Sequence, residues 1–202
     1  WVHVGGSFGI WAKAAPARAE LAAGYEAADS LAVDGHKWLN VPYDSGVTLV
    51  REPDHLRAAM SISAAYLPDA AVREPYDYTP ECSRRMRATE IWAVLASLGQ
   101  AGLADLIETC CRQASMLAEG LAGAGYAVLN EVRLNQVMVS FGDDERTARV
   151  IEGLQADGTA WCGGTHWHGR AAMRISFSSH ATTDADVAKT LAAILRVARS
   201  NR

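Results

Sequence analysis

Leu103, Ile107, Cys110, Ala114, Leu117 and Leu121 recur at alternating steps of four and three. One apolar stripe therefore runs the length of 101–122 and predicts a helix that packs lengthwise on a neighbouring helix or domain. Just before it, 83–98 reads as a helix with Ile91, Val94, Leu95 and Leu98 on one side, Arg84, Arg85 and Arg87 near its start, and Gly99 as its stop. After Gly123 and Gly125 the period shortens to that of strands at 126–130, 137–141 and 172–178, with a helix at 145–156 among them. A last helix begins near Thr183, whose side chain is placed to cap it, and Asp184 and Asp186 favour its positive end.

The amino-terminal half follows a different pattern. Residues 1–4 alternate large side chains as a strand does, the turn Gly5-Gly6-Ser7-Phe8-Gly9 follows, and 10–15 and 17–28 are alanine-rich and helix-favouring with Pro16 between them. An apolar strand at 47–51 completes a strand, crossover, strand order. That order belongs to an α/β layer, in which ligands sit at the carboxyl ends of strands. From 53 to 80 the pattern is irregular, with Tyr66, Tyr76 and Tyr78 among Pro53, Pro68, Pro75 and Pro80, and reads as a long connection. The expected division is 1–99 and 100–202, within a chain that carries no internal repeat or low-complexity tract.

Half of the 202 residues are hydrophobic, enough for one substantial core and a small second one. A net charge of −4 without a basic run argues against an electrostatic nucleic-acid surface. Uninterrupted apolar stretches fall short of a membrane span and no secretory leader is recognisable, so no membrane partner and a cytoplasmic location are expected. Cys82, Cys110, Cys111 and Cys162 form no CxxC pair and read as free thiols. His166 and His168, flanking Trp167, would share one face of a strand, which suits either a metal with a third ligand elsewhere or an ordinary polar face; no metal is expected.

The most distinctive stretch is 29–46, DSLAVDGHKWLNVPYDSG. Lys37 stands between His36 and Trp38, after the part-apolar run 31–33 and before Leu39, Val41 and the strand at 47–50. A lysine in a partly desolvated seat can act as a nucleophile towards a carbonyl, because only its uncharged amine attacks. The plain alternative is a loop lysine beside two core aromatics.

Asp34-Gly35-His36-Lys37-Trp38, preceded by Ala28-Asp29-Ser30, resembles the Schiff-base segment of the pyridoxal-phosphate decarboxylases, in the group that includes aromatic-amino-acid and glutamate decarboxylases. Asn40-Val41-Pro42-Tyr43-Asp44-Ser45-Gly46 and the stretches 83–99, 135–142 and 173–178 resemble later landmarks of that family in order. The resemblance implies the carboxy-terminal portion of a fold-type-I α/β protein: the last part of a cofactor-binding large domain followed by a small α/β domain. It also implies pyridoxal 5'-phosphate as cofactor, an amino acid as substrate, loss of CO₂ as the reaction, and a homodimer.

By the same resemblance Lys37 forms the Schiff base, His36 donates to the phosphate, and Ser7 lies under the ring. Tyr78 or Tyr76 matches the loop tyrosine that helps protonate the product carbanion. Arg87 reads as a packing or subunit-contact residue and Arg174 as a structural one, with a ligand contact the alternative for each. One position departs from the pattern. The family's strand motif HVDxA is matched by His3-Val4-Gly5-Gly6-Ser7, so Gly5 stands where an aspartate pairs with the pyridine nitrogen, 32 residues before Lys37. A ring without that acid is a weaker electron sink, so impaired activity is expected.

Two other readings stay open. A non-catalytic homologue would act as a folding or interaction unit, with bare sheet edges driving association. A serine hydrolase would use Ser7 in Gly5-Gly6-Ser7-Phe8-Gly9 as a nucleophile elbow, with a downstream histidine such as His180.

Overall fold

The computed structural model describes residues 1–66 and 72–201; Pro68 lies outside the described residues. His3–Gly5 (β1) runs parallel to Ser30–Asp34 (β2), with His3 opposite Ser30 and Gly5 opposite Ala32. Gly46–Val50 (β3) pairs antiparallel on the other side of β2, so the order is β1-β2-β3. Both strands flanking β2 expose an edge within this three-stranded sheet.

The crossover between β1 and β2 departs from the sequence expectation. In place of two helices it holds three 3₁₀ turns, Gly9–Ala14, Pro16–Ala22 and Tyr25–Ala27. The physical cause is chain breaks at short spacing. Pro16 keeps Ala15 out of the helical region (φ −103°, ψ 110°), and Gly24 takes a left-handed conformation (φ 88°). The pieces left between them are too short to repay helix nucleation. Ala12, Ala15 and Ala22 are buried, and their small side chains let the turns pack closely.

At the end of β2 the chain enters the single-turn helix Gly35–Trp38 (α1). Glycine gives close packing at its first position: a Cβ on Gly35 would approach Ile91 Cδ1 and Val41 Cγ2 to 3.2 Å, tight enough that those side chains would have to shift. The connection after β3, expected to be irregular, contains a helix, Pro53–Met60 (α2), with Pro53 in its first turn where a missing N–H costs nothing and Asp54 beside the positive end. A 3₁₀ turn follows at Pro75–Tyr78. The next helix, Arg87–Gly123 (α3), starts four residues later than expected and is broken at Gly99 (φ 60°, ψ −173°), beyond which it resumes. Gly99 thus separates two helical arms, as the sequence predicts. By length and composition α3 is long and apolar enough to cross a membrane. Its arm beyond Gly99 buries the whole predicted stripe from Leu103 to Leu121, as a core helix does.

The chain divides into two compact units, Trp1–Gln100 and Ala101–Arg202. The second is built on an antiparallel sheet of order β4-β5-β7-β6, formed by Ala127–Val128 (β4), Gln136–Ser140 (β5), Gly163–Trp167 (β6) and Arg170–Ser176 (β7). Two helices, Asp144–Asp157 (α4) and Asp184–Ser200 (α5), belong to the same unit. Val137, Val139, Ala172, Met173, Val150, Leu154 and Ile194 are buried in its core. Gly120 on α3 faces α5, where any Cβ would collide with the Leu191 side chain. Thr183 caps α5 through a complete capping box with Asp186, as the sequence suggests.

His168 does not share a strand face with His166. It takes a left-handed conformation (φ 48°) followed by Gly169 (φ 77°), the two-residue turn that joins β6 to β7. Among the described residues no group of three or more His, Cys, Asp or Glu side chains is placed to hold a metal ion.

Candidate active site

Lys37 is the third residue of α1, immediately beyond the carboxyl end of β2. Its Nζ lies 2.5 Å from Asp34 Oδ2, and the two side chains are 34% and 28% exposed, so the amine is half-buried yet reachable. Asp34 is the last residue of β2 and lies three positions before Lys37, the spacing that brings side chains together on one helical turn. The Lys37 ammonium holds the Asp34 carboxyl below the usual carboxylate range; hydrogen bonding from Ser7 and the proximity of His36 act in the same direction, and partial burial opposes them.

The turn after β1 supplies the other wall. Ser7 hydrogen-bonds Asp34, and the Phe8 ring centroid lies 5.5 Å from Lys37 Nζ, a cation–π distance. Phe8 in turn meets buried Trp38 edge-on, at 5.5 Å and 69°. The parallel pairing of β1 with β2 thus brings Ser7, Phe8, Asp34 and Lys37 to one end of the sheet.

His36 points into a second set of contacts. Its Nδ1 is 2.7 Å from the Ser45 carbonyl oxygen and 3.1 Å from the Ser45 backbone nitrogen, and its ring lies against Tyr43 at 4.2 Å. The 2.7 Å contact is a hydrogen bond when Nδ1–H donates to the Ser45 carbonyl and the 3.1 Å contact when Nδ1 accepts the Ser45 N–H, so the tautomer decides which is made; a ring protonated on both nitrogens makes the first and still offers Nε2–H to an anion.

Gly5 ends β1 opposite Ala32. Ala32 and Asp34 are two residues apart on one strand and share a face, so a side chain at position 5 would project on that face too. A Cβ added there meets nothing within 4 Å. The place is open, and it holds no carboxylate.

Tyr78 sits in the 3₁₀ turn after the connection, with the Arg73 guanidinium 4.3 Å from its ring centroid, while its neighbour Asp77 pairs with Arg57 of α2 at 3.2 Å. These contacts tie Tyr78 to the connecting segment itself. Arg87 engages Asp44, in the loop beyond α1, and Arg174 lies on β7 opposite Met138, in the second unit.

Asp34, Phe8, Tyr43, Ser45 and Arg85 surround the candidate site and carry no assignment from the sequence. The spacing of Asp34 to Lys37 carried a signal for the first. The other four come together only through folding.

The residues present fit pyridoxal phosphate on two of its sides. A reachable amine suits its aldehyde, and a histidine anchored through Nδ1 suits its phosphate. On the pyridine-nitrogen side the place at Gly5 is open to a side chain but supplies no acid.

The model of the pyridoxal-dependent decarboxylase conserved domain matches residues 1–141. The chain belongs to the pyridoxal-dependent decarboxylase family, whose cofactor is pyridoxal 5'-phosphate. It is 28% identical to histidine decarboxylase of Drosophila melanogaster over 204 residues, which cover 98% of this chain and 24% of that protein. It is 32% identical to tyrosine decarboxylase 1 of Narcissus pseudonarcissus over 146 residues, 70% of this chain and 28% of that one. The chain thus spans about a quarter of the length of these curated relatives.

Among solved structures, Oryza sativa TDC with PLP and tryptamine superposes with a TM-score of 0.93 at 22% identity, covering 99% of this chain and 44% of that one. Catharanthus roseus tryptophan decarboxylase in complex with L-tryptophan superposes at 0.86 and 20% identity, covering 100% and 45%. These likenesses establish the fold: mixed α/β of fold type I over the whole chain. The serine-hydrolase alternative gains no support, since the comparisons lead to decarboxylases and Ser7 hydrogen-bonds Asp34.

Proposed function

We propose that this chain binds pyridoxal 5'-phosphate through Lys37 and serves an amino-acid decarboxylase-like function that Gly5 impairs. The observation that carries the reading is the seat of Lys37: a reachable amine at the carboxyl ends of parallel β1 and β2, fixed by Asp34 and Phe8.

The residues divide the work as follows. Asp34 stays ionised at neutral pH because Lys37 holds its carboxyl low, so it orients Nζ and does not retain the proton that the amine must lose before attacking the aldehyde. Ser7 hydrogen-bonds Asp34 and would present a small side chain beneath the ring. His36 would donate from Nε2 to the phosphate, with Nδ1 held at the Ser45 backbone. Tyr78 or Tyr76 returns a proton to the substrate carbon. When bound, the cofactor supplies an electron sink for the pair left on Cα as CO₂ departs. Without an acid at position 5 that sink is weaker. Each 1.4 kcal/mol of lost transition-state stabilisation is about tenfold in rate, so a slowing of roughly a hundredfold follows from losing a charge-assisted hydrogen bond.

A second reading, a non-catalytic homologue that acts through association, is favoured by the same glycine and by the apolar side chains that the first unit exposes, among them Trp1 and Trp92 at 73% and 70%. Titration with pyridoxal phosphate, followed by imine absorbance near the visible edge with Lys37→Ala as control, tests cofactor capture. Assay of CO₂ release across common amino acids, in wild type and in Gly5→Asp, then separates the two readings. Gain of about a hundredfold in Gly5→Asp supports an impaired decarboxylase. Cofactor capture with no CO₂ release from either form supports the non-catalytic homologue.

A further inference from the structure

Three arginines, Arg84, Arg85 and Arg87, crowd the start of α3, where the helix dipole disfavours positive charge. Two of them are spent elsewhere. Arg85 donates from Nη1 to the Tyr43 carbonyl at 3.2 Å and from Nη2 to the Asp44 carbonyl at 3.3 Å, and its Nη2 also reaches Glu90 at 3.1 Å. Arg87 donates from Nε to both the Asp44 carbonyl and Asp44 Oδ1 at 2.9 Å, with Nη2 at 2.9 Å from the same carboxylate oxygen. Asp44 is consequently held ionised below the usual carboxylate range, Arg87 being the main cause.

An exposed ion pair of this kind adds little stability, so the meaning of the arrangement lies in what the gripped segment does. Residues 43–45 have no regular secondary structure, yet they supply hydrogen bonds and a ring contact that orient His36. The Ser45 carbonyl accepts from Gly35 N at 2.9 Å and His36 N at 3.1 Å. The Ser45 amide and carbonyl flank His36 Nδ1, and Tyr43 lies on the ring at 4.2 Å and 31°. A loop free to drift would leave the imidazole free to rotate and to change tautomer.

We propose that Arg85 and Arg87 are positioning residues that clamp the Tyr43–Asp44 backbone and so hold Tyr43 and Ser45 against His36, fixing the ring for phosphate recognition. The phosphate part of this proposal rests on the cofactor reading above; the clamp on His36 does not. The arginines touch no cofactor. They act through a loop that turns a surface contact into the orientation of one imidazole.

The test compares wild type with Arg85→Met/Arg87→Met, Arg87→Lys and His36→Gln. In the ligand-free protein, the His36 ring-proton resonances displaced by the Tyr43 ring should move in Arg85→Met/Arg87→Met towards those of Tyr43→Leu, and return part of the way in Arg87→Lys. With ligand, capture at Lys37 is read by borohydride trapping of two aldehydes, pyridoxal phosphate and pyridoxal. The double variant should lose on the order of tenfold in affinity for pyridoxal phosphate, the loss of about one hydrogen bond to a charged group, while pyridoxal, which has no phosphate, loses far less. His36→Gln should give the same selective loss, and combining it with the arginine changes should add little, because both act on one contact.

Equal losses for the two aldehydes, or His36 resonances that do not move, would overturn the clamp. If wild type captures neither aldehyde, the cofactor reading falls while the ligand-free resonances still decide whether the clamp exists.

Discussion

The two units of this chain are of nearly equal length and are stabilised very differently. Among the described residues of Trp1–Gln100, nine hydrophobic side chains are buried and four of those are alanines, whereas 23 are buried in Ala101–Arg202. Exposed large hydrophobic residues run the other way, eleven in the first unit and two in the second. Burial of a large aliphatic or aromatic side chain contributes roughly 1.5–3 kcal/mol, and alanine contributes much less. The second unit therefore has a core sufficient to define itself, while the first offers a chemically specific end of a sheet on a thin core. All the candidate chemistry lies in the thin-cored unit. Its apolar surface, including Trp1, Tyr43, Met86 and Trp92, is the kind that another polypeptide surface covers.

The contrast can be broken first by truncation. Phe141→Ala, at a side chain 1% exposed, should cost about 3–5 kcal/mol in denaturant unfolding, and hydrogen exchange should place the loss in the peptides of the second unit. Leu49→Ala in the first unit, at a residue 48% exposed, should stay within about 0.5 kcal/mol. Equal costs would mean that the first unit has a better core than its burial indicates. Next in size, Thr183→Ala removes the hydroxyl of the α5 capping box and should cost about 1 kcal/mol, measured as a shift in the unfolding midpoint with unchanged slope.

Acid sharpens the same comparison at the site. The Asp34 carboxyl is held low, chiefly by Lys37, so its ionisation is favoured in the folded chain. The stability it contributes is complete above the unfolded carboxylate value near 3.9 and disappears as pH falls through the lower folded value. Asp34→Asn should therefore make the acid limb of a tryptophan-fluorescence titration shallower below about pH 4. An unchanged limb would show that the pair with Lys37 carries no weight.

The smallest perturbation is chemical labelling. Cys82 is exposed, Cys110, Cys111 and Cys162 are buried, and burial pushes the Cys162 thiol up to about 11. One thiol, in the first unit, should react promptly with a maleimide and three slowly. Two or more prompt thiols would mean that the second unit opens readily.

How much of this was legible beforehand follows from range of interaction. The stripe from Leu103 to Leu121 and the Thr183 cap are local patterns, and the structure bears both out. The alanine-rich crossover misled because composition favours helix while Pro16 and Gly24 divide it into pieces too short to form one. Gly99 signalled a break correctly, and helix follows on its far side as the stripe from Leu103 predicts. At the candidate site the lysine segment announced itself, and Asp34 was readable from its spacing. Phe8 reaches Lys37 only through the pairing of β1 with β2, and Arg85 and Arg87 reach Tyr43 and Asp44 across more than forty residues of chain. No local period encodes such contacts.

The central claim is that a single amine of the thin-cored unit holds an aldehyde cofactor. The direct test is to saturate the folded chain with pyridoxal phosphate, reduce with borohydride, digest, and map the adduct by mass spectrometry. The account predicts one reduced adduct, on Lys37, absent from Lys37→Ala. An unmodified Lys37 under saturation, or label spread evenly over the surface lysines, would contradict it.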